Sequence, residues 1–600
     1  MQWRGRAPAA TVWLACGLGL FPAQATTFGL GDAEVSVSGV VSAGTSIRTQ
    51  SPDPAFITRA NGAAAGVPGI APAGRNQDDG NLNYLRGDPV STVLKALVNV
   101  EAKYNGFGAN LRATAWRDFT LADGGVPWGN IPNNYAVGAP LGESSNSMYG
   151  RYSGIALLDA NVYGNGRLGD MPLYGKLGWQ LLPWGVSALI GGGLNVLNPV
   201  NQPALRRPGV LSEEVGIPFP AVFVRLGLTS TTNIEAFYQF AFQRTEPLGC
   251  GTFFSTLDYL ADRCDKVVFG AGLTDRASLA QVNYAKRAPD HDPSNLGQFG
   301  IGVTHTVEPI ATQFGAYFAQ YHLRSGIVGV VKSSRAAGDP YIVGDPGGLN
   351  PQYFIQYPED IRMFAANMTT RLPDVTLFAE ITHRLNQPMQ LNSTDITNAA
   401  NSNTAQTFLR AEYAAIPLGG IYDAYDRFQT TDVQFGATRT FGEILGAKIL
   451  GAKSATLGAE AGFKYVHNLP DPNVRRYGRS DVFGSVPFNG TCTTVGPGVA
   501  CGNDGFVTPL AYGMRARGAL SYTDVVPNVT VTPSVTYGYD VSGWSYDAAF
   551  NEGRQFAIIS FRAEYQKQYT AEIAYQPIWG GRYNNARDRD VLTMAVSARF

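Results

Sequence analysis

The residues best suited to handling a ligand lie together between Pro183 and Pro220, a stretch rich in Gly, Asn and Pro. Trp184, Leu194, Asn195 and Asn198 come first, and the charged couples Arg206-Arg207 and Glu213-Glu214 follow. Apolar lining with a few placed amides and charges is the composition of a small-solute site. As an inward plug or hatch, residues 183–220 would narrow a pore. Arg206, Arg207, Glu213 and Glu214 would then meet opposite charges on the wall, and Leu194, Val196 and Leu197 would line an apolar path. The plainer reading is an insert that only stiffens its surroundings.

Catalytic chemistry finds less support. Gly164-Asn165-Gly166-Arg167-Leu168-Gly169 matches the spacing of a dinucleotide loop. Asp170-Met171-Pro172 follows at once, so no helix N-terminus can hold a pyrophosphate, and a turn is expected instead. His383 shares an apolar face with Val375, Leu377, Ala379 and Ile381, where no Ser or Asp partner can be assigned. It reads as a histidine of the membrane girdle or rim. With no G-x-S-x-G or H-E-x-x-H motif, no enzymatic activity and no cofactor is expected.

The elements that must position the 183–220 segment are strands. From Val591 to the final Phe600, Leu592, Met594, Val596, Ala598 and Phe600 fall on one face and Thr593, Ser597 and Arg599 on the other. The same phase recurs upstream. Ala557, Ile559, Phe561, Ala563 and Tyr565 oppose Ser560, Arg562 and Glu564; Leu457, Ala459, Ala461, Phe463 and Tyr465 oppose Glu460 and Lys464. Near the start, Val35, Val37, Val41 and Ile47 oppose Ser36, Ser38, Ser42 and Arg48. Such walls suit lipid on one side and a polar lumen on the other.

Tight connections are expected at Asn105-Gly106, Ser230 to Asn233, Glu308-Pro309, Pro373-Asp374 and Lys567. Between them run long ones, near residues 49–88, 118–152, 244–297, 324–358, 385–427 and 468–508. Short and long connections alternate in this way between the periplasmic and extracellular rims of a membrane barrel. The expected fold is all-β, a transmembrane antiparallel β-barrel of about 18 strands, with 16 as the alternative, interrupted by the irregular segment.

The N-terminus agrees with export. Arg4 and Arg6 precede the apolar stretch Val12 to Phe21, and Ala23-Gln24-Ala25 supplies a cleavage site, so residues 1–25 read as a signal peptide and 26–600 as the barrel. Cys16 superficially suggests lipidation, but Trp13 stands where that motif wants a small aliphatic residue. No later run reaches the roughly 18 to 20 apolar residues of a helical span. Only 16% of residues are charged, and 29 Tyr with 31 Phe can furnish interfacial girdles. Losing Arg4 and Arg6 leaves 44 basic against 47 acidic residues, a balance that argues against nucleic acid. Four cysteines remain, Cys250 with Cys264 and Cys492 with Cys501, each couple inside one expected loop. Two local disulfides are the expected reading, although three pairings are allowed. Metal ligation lacks a spacing motif among the five histidines. Phe253, Phe254, Leu257, Tyr259 and Leu260 in the first cysteine loop are expected to pack it on its own disulfide; a landing site for greasy solutes is the alternative.

Several stretches resemble an uncharacterised family of proteobacterial outer-membrane proteins catalogued as domain of unknown function 1302. They are Asp78-Asp79-Gly80-Asn81-Leu82-Asn83-Tyr84 with Gly87-Asp88, Trp184-Gly185, Asn195-Val196-Leu197-Asn198-Pro199, and Arg207-Pro208-Gly209. The most specific is Cys250-Gly251-Thr252-Phe253-Phe254-Ser255 with Asp258-Tyr259 and Cys264. The chain departs from the family pattern at Val186, where an acidic residue is usual. The resemblance implies a barrel distantly like the long-chain fatty-acid channels, often encoded near a lipoprotein-like partner and large inner-membrane transporters. The expected function is an outer-membrane channel passing a small hydrophobic or amphipathic solute by uncoupled diffusion. The alternatives are a docking component of a multi-protein transport system and a membrane-embedded hydrolase. The expected partners are outer-membrane lipids, the barrel-assembly machinery addressed by Phe600, the solute, and periplasmic or inner-membrane transporter components.

Overall fold

The computed structural model describes residues 26–143, 146–442, 450–484 and 503–600. The expected signal peptide with Cys16, and the couple Cys492 and Cys501, lie outside those residues.

Long antiparallel strands follow one another along the chain. They are β1 (Ala33–Arg48), β2 (Pro89–Tyr104), β3 (Phe107–Asp118), β4 (Ser153–Leu168), β5 (Met171–Gln180) and β6 (Phe219–Gly227). Next come β7 (Thr232–Gln239), β8 (Gln298–Val307), β9 (Thr312–Tyr321), β10 (Ile361–Arg371), β11 (Val375–Gln390) and β12 (Tyr425–Phe441). The last are β13 (Ser454–Val466), β14 (Leu510–Ser521), β15 (Val529–Ser542), β16 (Arg554–Tyr565), β17 (Tyr569–Gln576) and β18 (Val591–Arg599). Each pairs with its sequence neighbours, and β18 returns to β1 with Val40 opposite Arg599 and Arg48 opposite Val591. Two short strands, Thr26–Leu30 and Ile578–Gly580, only lengthen ladders beside β1 and β16, so the closed barrel has 18 staves.

Period-two patterning sets which way each side chain points. Leu94, Ile155, Phe364 and Val596 stand exposed on the outer face, while their strand neighbours Lys95, Ala156, Met363 and Ala365 are buried inside. Closure pairs every ladder, and an apolar exterior with no sheet edge is the arrangement that lipid permits. The protein is an outer-membrane β-barrel of a Gram-negative cell.

The rims are as unequal as the sequence suggests. On one side Asn105-Gly106, with both residues at positive φ, Gly169-Asp170, residues 228–231, Glu308–Ile310 and residues 372–374 turn the chain tightly. The G-x-G-x-x-G stretch is the end of β4 and its turn. On the other side run residues 49–88, 119–143 and 146–152, 181–218, 240–297, 322–360, 391–424, and 467–484 and 503–509. The loop expected at 385–427 is shorter than anticipated: a register shift between Arg384 and Gln387 hides the alternation, and β11 continues to Gln390. Phe600 closes the seam, exchanging backbone hydrogen bonds with Gly39 at 2.8 and 3.0 Å. A Cβ on Gly39 would lie 2.5 Å from the Phe600 ring, so the terminal aromatic lies over a residue that has no side chain.

Candidate solute path and its plug

Residues 181–218 connect β5 to β6 and bond to inward-facing side chains on well-separated staves. At one end Glu214 pairs with Lys95 of β2 and accepts from the Thr114 hydroxyl of β3 at 3.1 Å. At the other, Glu380 of β11 accepts the backbone N–H groups of Leu194 (2.7 Å) and Val186 (3.3 Å). β2 and β11 are nine staves apart in a ring of 18, so the segment reaches across the full barrel.

The β11 to β13 end is the better anchored. Glu460 of β13 receives the amides of Ala188, Leu189 and Ile190 at 3.2, 2.8 and 3.1 Å, together with the Ser187 hydroxyl. Consecutive N–H groups around one carboxylate form an anion nest. Gly191-Gly192-Gly193 then lets the wall charges reach the backbone. A Cβ at Gly192 would meet Lys464 Nζ at 2.4 Å, and one at Gly193 would meet Glu380 Oε1 at 2.0 Å. Arg384 donates to the Gly193 carbonyl at 3.0 Å, and Gln434 donates to Ile190 and Gly191. Beneath them Asp432 bonds Arg384 at 2.8 Å and Lys464 at 3.2 Å, and Lys464 also reaches Asp547 at 2.7 Å.

The sequence-derived residues divide by role. Trp184 is buried; it donates to Glu235 at 2.8 Å and packs on Phe237 and Tyr317. Asn195 donates to the Ser187 carbonyl, and Asn198 clasps both backbone groups of Leu182. Leu194 and Leu197 are fully buried against Leu182, Phe219 and Phe223, so they pack the plug rather than line an opening. Of the four charges expected to meet opposite partners on the wall, Glu214 does so. Arg207 lies 4.0 Å above the Trp116 ring, within electrostatic reach of Glu214 and of Asp118 on β3, whereas Arg206 lies 4.7 Å above Phe254. Glu213 is exposed and bonds Ser212. His383 faces outward between Ile381 and Leu385 and pairs with Thr431, which also bonds His467.

A second feature escaped the sequence reading. Among the extracellular loops lies a cavity of about 600 Å³. Leu257, Leu260, Val268, Val328, Tyr353 and Ile396 supply apolar walls, and Arg75, Gln77, Arg479, Ser480 and Asp481 supply polar groups. Its wall comes from six loops, and only Leu257, Tyr259 and Leu260 of the cysteine loop gave a local hint. That loop is closed by the Cys250–Cys264 disulfide. Phe253 packs inward on Tyr84 and Phe254, as expected of a loop folded on its own disulfide, whereas Leu257, Tyr259 and Leu260 line the cavity.

A family model described as "Protein of unknown function (DUF1302)" matches residues 6–600. No curated protein matches the sequence. Among solved structures the chain is similar to the outer-membrane channel DcaP of Acinetobacter baumannii, with 9% identity over 96% of this chain and 100% of that one and a TM-score of 0.36. It is likewise similar to a BenF-like porin of Pseudomonas fluorescens (8%, 94% and 98%, TM-score 0.39) and to OccK9 of Pseudomonas aeruginosa (10%, 95% and 98%, TM-score 0.37).

Proposed function

The chain belongs to the DUF1302 family, for which no function is established, and we propose that it is an outer-membrane channel for a small hydrophobic or amphipathic solute. The observation that carries this reading is the apolar cavity roofed by the long loops, on the rim from which a plug crosses the lumen. Apolar walls with a few polar groups would desolvate such a solute and orient it. From there it would pass between the plug and the wall. In this reading Trp184, Leu194, Asn195, Asn198, Arg206, Arg207 and Glu214 hold the plug in place, and Glu213 faces the open lumen. Movement is by diffusion with no coupled chemistry. Phe600 addresses the chain to the assembly machinery, and the short-turn rim is left for periplasmic or inner-membrane transporter components.

Purified mature protein in liposomes should take up a fluorescent amphipathic solute. Leu260→Glu, which places a carboxylate on the cavity wall, should lower that uptake at least fivefold while leaving ionic conductance in planar bilayers unchanged. Uptake equal in both proteins would remove the cavity from the path. If neither the intact protein nor a variant lacking residues 186–212 passes any solute or ion, the channel reading falls.

A further inference from the structure

The stretch Asp78-Asp79 and the stretch around Asp258, both singled out in the sequence and neither used by the plug, meet in one buried place. One oxygen each from Asp78, Asp79 and Asp275 lies within 4.8 Å of the others, and all three side chains are inaccessible to solvent. Asp258, also buried, lies against the Asp79 amide. Two of these carboxylates keep an oxygen with no hydrogen-bond donor, Oδ1 of Asp275 and Oδ2 of Asp258.

Every polar contact to the trio comes from a donor that leaves the carboxylates as acceptors. Trp128 Nε1 (2.9 Å) and the Tyr135 hydroxyl (3.1 Å) donate to Asp79, and the Thr58 amide and hydroxyl to Asp78. Asn61 Nδ2 donates to Asp78 and, at 2.6 Å, to Asp275. Arg75 approaches Asp275 only at 3.8 Å. Arg589 is the cation that acts on Asp258, and it also faces Asp588. Buried negative charge therefore exceeds what the described cations offset, and burial of such charge is costly without a partner.

We propose that Asp78, Asp79 and Asp275 bind a calcium ion that ties together three extracellular loops. Calcium takes carboxylate oxygens at about 2.3–2.6 Å, so ligands on opposite sides of one ion stand up to about 5 Å apart, a span that admits all three. Magnesium holds its ligands closer and keeps several waters, which a site this enclosed does not favour. The Asn61 amide oxygen accepts the Asp275 N–H at 3.0 Å, which ties the two loops together beside the ion, and Asp258 adds a further negative charge next to Asp79. Residues 49–88 give Asp78 and Asp79, residues 240–297 give Asp258 and Asp275, and residues 119–152 hold Asp79 through Trp128 and Tyr135. Arg75 to Gln77 and Val268 to Ala271, just before the ligands in each loop, line the cavity, so the ion would fix its walls.

Terbium tests the site directly, because Trp128 lies in hydrogen-bond contact with a ligand and would sensitise a lanthanide held there. The refolded mature chain, in detergent and free of lipopolysaccharide, should show terbium emission on excitation of tryptophan, saturating at one ion per chain and displaced by calcium. Asp79→Asn and Asp275→Asn, which are isosteric and relieve repulsion, should weaken binding at least tenfold. Folding is checked by the heat-dependent shift in electrophoretic mobility. Should either variant fail to fold, Trp128→Phe serves: it should lose most of the emission yet retain radioactive calcium in equilibrium dialysis. No emission from the intact chain, or emission and calcium retention equal in the intact chain and both aspartate variants, overturns the proposal.

Discussion

Replacing Gly193 by valine is expected to raise single-channel conductance several-fold. Gly193 sits at φ +61°, and a Cβ there would lie 2.0 Å from Glu380 Oε1 and 2.8 Å from Gln434 Oε1. A β-branched residue in that backbone region is an outlier costing roughly 1–3 kcal/mol before any collision is counted. Relief requires Glu380 to withdraw from the Leu194 and Val186 amides and Arg384 from the Gly193 carbonyl. The opposite end, held by Glu214 on Lys95, is untouched, so the tip should swing away while the barrel stays closed. Gly191 is the control: nothing stands within 4 Å of its Cβ position, and Gly191→Ala should conduct as the parent does. Planar-bilayer recordings decide the matter. If all three proteins conduct equally, residues 181–218 are not the constriction.

Much of this molecule could be read locally. The 18 staves follow from alternation that each strand carries within itself, and the rims from Asn-Gly and Gly-Asp turns that need no distant partner. The plug was legible as a break in that pattern, since irregular backbone has no place against lipid. What could not be read is whatever depends on register. Glu460 and Lys464 were recognisable as lumen-facing. That Lys464 stands opposite Asp432, with Arg384 one stave further, depends on which residues of β11, β12 and β13 are paired. The fates of Arg206 and Arg207 were likewise hidden, because Phe254 and Trp116 are brought to them from other loops and strands. The cavity joins residues from Pro72 to Asn585, and the carboxylate trio joins Asp78 to Asp275; neither has a spacing that a sequence can display. Adjacent Glu213 and Glu214 show the limit most sharply: identical in type, one is exposed and the other buried on Lys95, a difference set by one turn of 3-10 helix.

The largest loss of stability should come from Asp432→Ala. Asp432 is 1% exposed and bonds Arg384 and Lys464, both also buried, while the Tyr546 hydroxyl donates to it at 3.1 Å. Its removal leaves two cations side by side, with Asp547 bonded to Lys464, and with neutral hydrogen-bond acceptors, the Tyr321 and Tyr546 hydroxyls and the Gly193 carbonyl, on Arg384 and the Glu380 carboxylate acting on it at longer range. Truncating one partner of a buried ion pair typically costs about 3–5 kcal/mol, because the remaining charge has lost its compensation. Asp432→Asn keeps the shape and can still accept hydrogen bonds, and should cost less. Glu564→Ala, which breaks a half-exposed pair with Arg562 on β16, should cost under about 1 kcal/mol. Equilibrium unfolding in guanidinium, followed by the fraction that keeps its folded mobility in unheated gels, orders the three. The same network holds Gly193, so Asp432→Ala should also loosen the plug at denaturant concentrations where the barrel is intact, read as cleavage by added protease between residues 186 and 212. A midpoint for Asp432→Ala equal to that for Glu564→Ala would mean that water reaches Arg384 and Lys464, and that the plug does not seal this side of the lumen.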